Sequence, residues 1–375
     1  MRSSQLTISR VGFGTARLPG DNVDNKWILN KRLVEKMIRE AYDLGINYFD
    51  SGELYCRGQS EYVISEYLKP IRENVYLSNK VKISNFNKKG LVINHIENSL
   101  KKLGQDYFDF YYFWGINKDE FDNAIKKHGY LEEMLLAKRR GLINNIGFSF
   151  HDAPEAMRYI INGGEHVFDA VLCKYNIIDQ TNEREIEYAH RKGLKVLTMS
   201  PLAGGKISAD GKKIPIDLSL KFALSNEKID CVLIGFSNDE MIKHDIALLN
   251  NMGKITQLEL EEINRILCDL KSFSDLYCTG CDYCQPCPQK IPISRYFNDY
   301  NLIKVHCLTK PAIDDYTYLS NAEFGTVNHC IHCLMCKDKC PQKLDIPTLL
   351  LKADRFLKKT KRFYAMLKEN EDSAI

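Results

Sequence analysis

Residues 31–50, KRLVEKMIREAYDLGINYFD, contain one structural unit together with its punctuation. From Lys31 to Leu44 apolar residues recur at three- and four-residue spacing, the period of a helix with one buried stripe. Gly45 follows where a left-handed helix cap is common, and residues 47–50 then read as a short strand ending in a carboxylate, Asp50. Outward from this unit, strand-like runs occupy 9–14, 75–80, 108–114, 145–150, 170–175, 195–200 and 231–235, so the chain carries eight strand candidates. Helical segments such as 91–103 lie between them, and Gly104 and Gly193 repeat the cap. Eight strands in this span fit a (β/α)8 TIM barrel, an α/β fold, better than an open doubly wound sheet of about five or six strands. Gly12-Phe13-Gly14-Thr15-Ala16-Arg17 lacks the third glycine of the dinucleotide fingerprint, and the surroundings of Gly205-Lys206 lack the phosphate-loop pattern.

The 375 residues are 44% hydrophobic and 27% charged, a globular composition. Fifty-two Lys+Arg against 49 Asp+Glu leave a net charge of +3, which offers no field for non-specific nucleic-acid binding. No stretch approaches the ~18 apolar residues of a membrane span, and the N-terminus has no signal-peptide core, so a cytoplasmic protein with neither nucleic acid nor membrane as partner is expected.

Composition changes abruptly at Tyr277. Thirteen cysteines are present and eight cluster beyond that point: Cys278, Cys281, Cys284 and Cys287-Pro288, then Cys330, Cys333, Cys336 and Cys340-Pro341. Each run contains Cys-Pro-Gln-Lys followed shortly by Ile-Pro, an internal duplication. The expected division is a barrel over 1–272, a cysteine-rich domain over 273–351 and a basic helix or tail over 352–375. That last segment is either a solvated helix or a docking surface for an acidic partner. In a reducing compartment such thiols are metal ligands rather than disulfides. Structural zinc is the competing metal. Cys56, Cys173, Cys231, Cys268 and Cys307 stand alone and read as small buried hydrophobes.

The second run, Cys-x2-Cys-x2-Cys-x3-Cys-Pro, resembles bacterial two-[4Fe-4S] ferredoxins, in which the fourth cysteine of a run reaches the other run's cluster. That resemblance implies a small ferredoxin-like domain with two [4Fe-4S] clusters. One would be held by Cys278, Cys281, Cys284 and Cys340, the other by Cys330, Cys333, Cys336 and Cys287. The first run departs from the pattern, with two residues rather than three before its last cysteine.

In a TIM barrel, polar residues at the C-terminal ends of strands build the active site. Asp50 and Lys80 end strands and Tyr55 follows in a loop. A neighbouring ammonium is expected to lower the tyrosine pKa while a carboxylate keeps the lysine charged, a sensible relay for protonating a carbonyl oxygen as hydride reaches carbon. The segments 47–55 (NYFDSGELY), 77–80 (LSNK), 146–149 (IGFS) and 200–205 (SPLAGG) together resemble the aldo-keto reductases, from about residue 6 to 250, and the whole chain resembles the branch with a C-terminal ferredoxin-like domain. The resemblance implies nicotinamide-linked reduction of a carbonyl, or oxidation of an alcohol such as a sugar or cyclic polyol, with Asp50, Tyr55 and Lys80 as catalytic residues. Trp114 stands where the family has its catalytic histidine. Its indole N–H donates but cannot titrate. His151 either reaches the same mouth or is a capping or packing residue.

By the same resemblance, dinucleotide contacts fall at Gly14, Thr15, Ser149, Ser200, Leu202, Gly204, Ser237, Asn238 and Asp245. Phe150 and Leu172 replace the family's Asn and Gln at the nicotinamide amide. Residues 235–238 lack the cations that hold a 2′-phosphate, so NAD(H) is expected in preference to NADP(H). Hydride carries two electrons and a [4Fe-4S] cluster one, which points to an external electron-carrier protein, a radical step or a structural role for the clusters. Two other readings stay open: a nicotinamide-independent redox enzyme fed single electrons through the clusters, and a non-enzymatic electron-transfer partner.

Overall fold

The computed structural model describes residues 7–23, 26–83, 86–152, 154–164, 166–203, 207, 214–273, 276, 278, 284–304, 308–321, 325–340 and 344–372, with no side-chain description at 22, 23, 26, 268–273, 321 and 367–372. The strands are β1 (Val11–Gly14), β2 (Gly20–Val23), β3 (Lys26–Leu29), β4 (Tyr48–Asp50), β5 (Tyr76–Val81), β6 (Phe108–Ile116), β7 (Ile143–Phe150), β8 (Ala170–Lys174), β9 (Lys195–Met199) and β10 (Cys231–Gly235). Eight of them close a barrel in the order β1-β10-β9-β8-β7-β6-β5-β4, every neighbouring pair parallel. The eight strands of the sequence reading are these eight, shifted by a residue or two at their ends.

Helices return the chain between strands. Lys31–Asp43 buries Val34, Met37, Ile38 and Ala41, its N-terminus capped by the Asn30 side chain accepting from Leu33 N at 3.1 Å. Gly45, Gly104 and Gly193 all take positive φ, the cap geometry that their positions suggest. The antiparallel hairpin β2–β3 was not anticipated. Its strands are four residues each and its connection, Asp24-Asn25, lies outside the described residues.

The chain divides into two compact units, 1–203 with 217–255, and 204–216 with 256–375. The helix Gln257–Phe273 thus groups with the second unit, whereas the sequence places it with the barrel. The compositional change at Tyr277 marks where cysteines begin; chain contacts change some twenty residues earlier. In the second unit the described elements are helical, chiefly Ile293–Lys304, Thr309–Asn321 and Ile346–Asp372. Their core joins Tyr296, Phe297, Tyr300, Tyr316, Leu350 and Leu357, with cysteines packed against it. Among the described residues no helix is long and apolar enough to cross a membrane.

Candidate active site

Side chains alternate along a strand, so every second residue faces the barrel axis. Tyr48 of β4, Phe110 and Tyr112 of β6, and Ala170 and Leu172 of β8 fill the interior together with Leu197, Cys231 and Leu233. The next residues on those same faces, Asp50, Trp114 and Lys174, emerge above this floor at the C-terminal end. Ser78 and Lys80 follow the same parity on β5.

Lys80 is buried, and its Nζ donates to Asp50 Oδ2 at 2.8 Å and to Tyr55 Oη at 2.9 Å. Asp50 is held from its other side by Ser78, whose hydroxyl donates to Oδ1 at 2.8 Å. Ser78 was not singled out in the sequence, although its place two residues before Lys80 puts it on the same face. The Lys80 methylenes pass over Gly52, 3.4–3.5 Å from where its Cβ would stand, an ordinary packing distance. The Tyr55 ring meets Trp114 edge-on, centroids 5.3 Å apart at 85°. The Lys80 ammonium lies 4.8 Å from the Tyr55 ring and 5.8 Å from that of Trp114. Asp50, Tyr55, Lys80 and Trp114 therefore form one group.

The electrostatics correct one expectation. Burial raises the Tyr55 pKa, and the Lys80 ammonium, which acts to lower it, does not prevail. Burial also works against the charge on Lys80, but Asp50 and Tyr55 overcome it and raise the lysine pKa. The resting arrangement is a neutral phenol beside a charged lysine paired to Asp50.

His151 lies at the rim of the same mouth. The Cβ position of Gly115, the residue after Trp114, is 3.5 Å from His151 Cδ2 and 3.7 Å from Lys82 Nζ. Although His151 exposes surface, the surrounding walls desolvate its ring, and together with Lys174, Lys80 and Lys82 they push its pKa down to about 4. It is neutral at pH 7.

The residues expected around a dinucleotide are more scattered in their engagements. Gly14 pairs with Asp50 across β1 and β4. Thr15 is fully buried and spends its hydroxyl on the Asp50 carbonyl at 2.8 Å, so it braces the strand end instead of facing a ligand. Ser149 is buried at the end of β7, its Oγ accepting from Gly115 N at 2.7 Å. Ser200 accepts from Asn176 Nδ2 at 3.0 Å through its carbonyl, and Leu202 is half-buried in the loop after it. Gly204 lies outside the described residues. Ser237 contacts Met241 Sδ, Asn238 caps the helix Asp239–Asn251 through Met241 N at 2.9 Å, and buried Asp245 accepts from His244 at 3.0 Å. Lys243, beyond that loop in sequence, turns to Glu40 at 3.6 Å and Asp239 at 3.8 Å, while the Arg17 side chain lies 3.8–4.0 Å from the Cβ position of Gly235 in the loop itself. Phe150 and Leu172 are buried.

In the second unit, Cys284, Cys287, Cys330, Cys333 and Cys336 line one hollow, walled by apolar residues that include Ile291, Ile293, Ile346 and Leu350. Cys278 and buried Cys340 pack in the adjoining core, and Cys281 lies outside the described residues. Among the described residues no three His, Cys, Asp or Glu side chains already stand together as ligands of a single ion. Of the solitary cysteines, Cys173 and Cys231 are buried as expected, whereas Cys56 is half-buried beside Tyr55. The Cys268 side chain and Cys307 lie outside the description.

A family model described as "Aldo/keto reductase family" matches residues 10–215. The chain is 29% identical over 226 residues to "NADH-specific methylglyoxal reductase" of Escherichia coli (strain K12), covering 55% of this chain and 67% of that protein. It is 25% identical over 313 residues to "L-galactose dehydrogenase" of Arabidopsis thaliana, covering 72% and 93%. An aldo-keto reductase from Bacillus halodurans, in its holo form, superposes with a TM-score of 0.58 at 21% identity, covering 71% of this chain and 96% of that one. A Klebsiella pneumoniae aldo-keto reductase in complex with NADPH gives 0.56 at 21% identity, covering 69% and 91%.

Proposed function

Because this chain belongs to the aldo/keto reductase family and is an oxidoreductase of that type, we propose that its barrel mouth carries NADH-linked reduction of a small carbonyl, or the reverse oxidation of an alcohol such as a sugar or cyclic polyol. One observation carries this reading: the Tyr55 hydroxyl, 2.9 Å from a buried Lys80 ammonium that is itself 2.8 Å from Asp50, at the C-terminal end of the strands. A nicotinamide bound there supplies or accepts hydride. Tyr55 gives its proton to the carbonyl oxygen as charge develops on it, and Lys80 stabilises the phenolate left behind. Asp50, fixed by Ser78, keeps Lys80 charged. Trp114 offers a flat apolar face and an N–H donor beside Tyr55, suited to a ring-shaped substrate. His151, neutral at its rim position, is placed to accept or donate a hydrogen bond to substrate.

Although Arg17, whose side chain lies against Gly235, weighs on the other side, NADH rather than NADPH is supported by the lack of Arg or Lys within residues 235–238 and by the engagement of Lys243 with Glu40 and Asp239. The E. coli relative's name carries the same preference. Ser149 and Ser200 are assigned to the nicotinamide end, and Ser237 and Asn238 to the adenosine side, on the resemblance of their segments to the family.

For the second unit we infer a ferredoxin-like domain within 273–351, with two [4Fe-4S] clusters. The donor chemistry supports this: all four thiols assigned to one cluster, Cys287, Cys330, Cys333 and Cys336, line one apolar-walled hollow together with Cys284 of the other set, so binding a cubane would draw together thiols that do not yet converge. The other set, Cys278, Cys281, Cys284 and Cys340, rests on its sequence pattern and on the placement of Cys278 and Cys340 against one core. Such clusters supply single-electron exchange when bound. Burial of Phe150 and Leu172, where the family presents amides, favours the second reading of a nicotinamide-independent redox enzyme.

Anaerobic titration with NADH and NADPH, following nicotinamide and cluster absorbance together, separates the two. Tyr55→Phe removes only the hydroxyl; a loss of ~10²-fold or more in turnover with NADH binding intact is expected. Near-normal turnover would move the chemistry away from Tyr55, and no binding of either nucleotide would promote the second reading.

A further inference from the structure

The helix Ile346–Asp372 has two working faces. Ile346, Leu350, Ala353 and Leu357, spaced by three and four, are buried in the core of their unit. Arg355, Lys358, Lys359, Arg362, Phe363 and Met366 fall at i, i+3, i+4, i+7, i+8 and i+11, a second stripe on the solvent side, and all six are exposed. Phe363 and Met366 each show 60% of their surface. Lys358 is partly neutralised by Asp354 at 2.7 Å; Arg355, Lys359 and Arg362 have no carboxylate partner among the described residues. Three uncompensated cations around two bare apolar side chains form a compact patch whose complement is an acidic surface with an apolar centre.

We propose that this stripe is the docking surface for an acidic one-electron carrier protein. The proposal rests on the cluster reading above, because the same helix links patch and thiols. Leu350 lines the hollow shared by Cys330, Cys333 and Cys336. At about 1.5 Å per residue, Arg355 lies about 8 Å and Arg362 about 18 Å further along the axis. The near end of the stripe, at Arg355, is therefore the part of it closest to the proposed metal, and Met366 at its far end is about 24 Å along the axis from Leu350. An anionic membrane is the less fitting occupant. The helix's apolar face is already consumed by the core, and two side chains fall far short of the face that holds an amphipathic helix in a bilayer.

The test uses the full chain purified anaerobically, with a plant-type [2Fe-2S] ferredoxin of strongly negative net charge as probe. Binding is read by calorimetry at low and at raised salt, with iron content and melting temperature measured on every variant. Binding that weakens with salt, falls about tenfold or more in the triple variant Arg355→Glu, Lys359→Glu, Arg362→Glu, and falls again in Phe363→Ser with Met366→Ser is expected. Equal binding by wild type and charge-reversed chain would overturn the proposal, as would no binding by the wild type. So would stripe-dependent sedimentation with phosphatidylserine–phosphatidylcholine vesicles in place of ferredoxin binding. Stripe-dependent binding by a chain that holds no iron would support the surface while sinking the cluster reading, so the two fail separately.

Discussion

Lys80 has no access to solvent, and both of its hydrogen-bond partners in the site are themselves ionisable. The consequence appears in pH dependence. Because burial holds the Tyr55 pKa above the ordinary ~10, the phenol is the populated form throughout neutral and mildly alkaline solution. Carbonyl reduction, which consumes that proton, is expected to keep its turnover until the pH passes ~10, while alcohol oxidation, which needs the phenolate, rises over the same range. Turnover measured in both directions checks the sign; reduction collapsing near pH 7 would assign the proton to another group. That Asp50, Tyr55 and Lys80 meet was legible because strand-end position and residue chemistry agree, and Trp114 was drawn into the same group by the family resemblance. The direction of the tyrosine shift was not, since desolvation depends on what closes over the ring. Thr15 shows the same limit: its hydroxyl is taken by the Asp50 carbonyl, a partner 35 residues away that no local pattern reveals.

The hairpin β2–β3 is joined to the loop that carries Tyr55. Gln59 accepts from Leu29 N at 3.1 Å and donates to the Trp27 carbonyl at 3.3 Å, and Arg57 lies 5.8 Å from the Trp27 ring. Between Tyr55 and Gln59, Cys56 and Arg57 take left-handed φ values of 50° and 56°, a conformation that costs of order 1–3 kcal/mol each and persists only where its surroundings hold it. Gln59→Ala is expected to destabilise the barrel by about 1 kcal/mol and to lower kcat more than it raises KM, because it releases the loop and not a binding group. Thermal unfolding with a kcat-against-KM comparison measures both, and a pure KM effect would place Gln59 in the binding surface. Barrel strands were readable because apolar and β-branched runs have no competing explanation at that length. Hairpin strands of four residues, with Gly20, Asp21 and Asn22 in the first, resemble loop in composition, so only tertiary pairing distinguishes them.

The proposed clusters and the barrel site fall in different compact units. Iron and sulfide of about eight each per chain are expected after anaerobic purification, from two cubanes of four. Chelation should lower the melting of the cysteine-bearing unit, whose hollow loses its thiolate cross-links, while NADH binding at the barrel persists. Calorimetry with a parallel nucleotide titration reads the two effects separately, and loss of NADH binding on iron removal would show the units to be one functional body. The barrel was legible from eight repeats of one grammar, whereas the unit boundary was not, since Gln257–Phe273 has the periodicity of any barrel helix.

The interior floor of the barrel also makes the protein its own optical indicator. Tyr48 and Tyr112 share a hydroxyl contact of 2.8 Å, and burial lifts their pKa values and that of Tyr111 well above the ordinary tyrosine range. Below ~10 folded and unfolded chains both keep these protons; above it only the unfolded chain releases them, so barrel stability declines as alkalinity rises. In an alkaline titration exposed tyrosines should develop phenolate absorbance progressively, and these three only in the step where the barrel opens. The ultraviolet spectrum then registers the loss of buried structure without a label, with Tyr296 and Tyr316 of the second unit, also raised by burial, adding to the step when that unit opens.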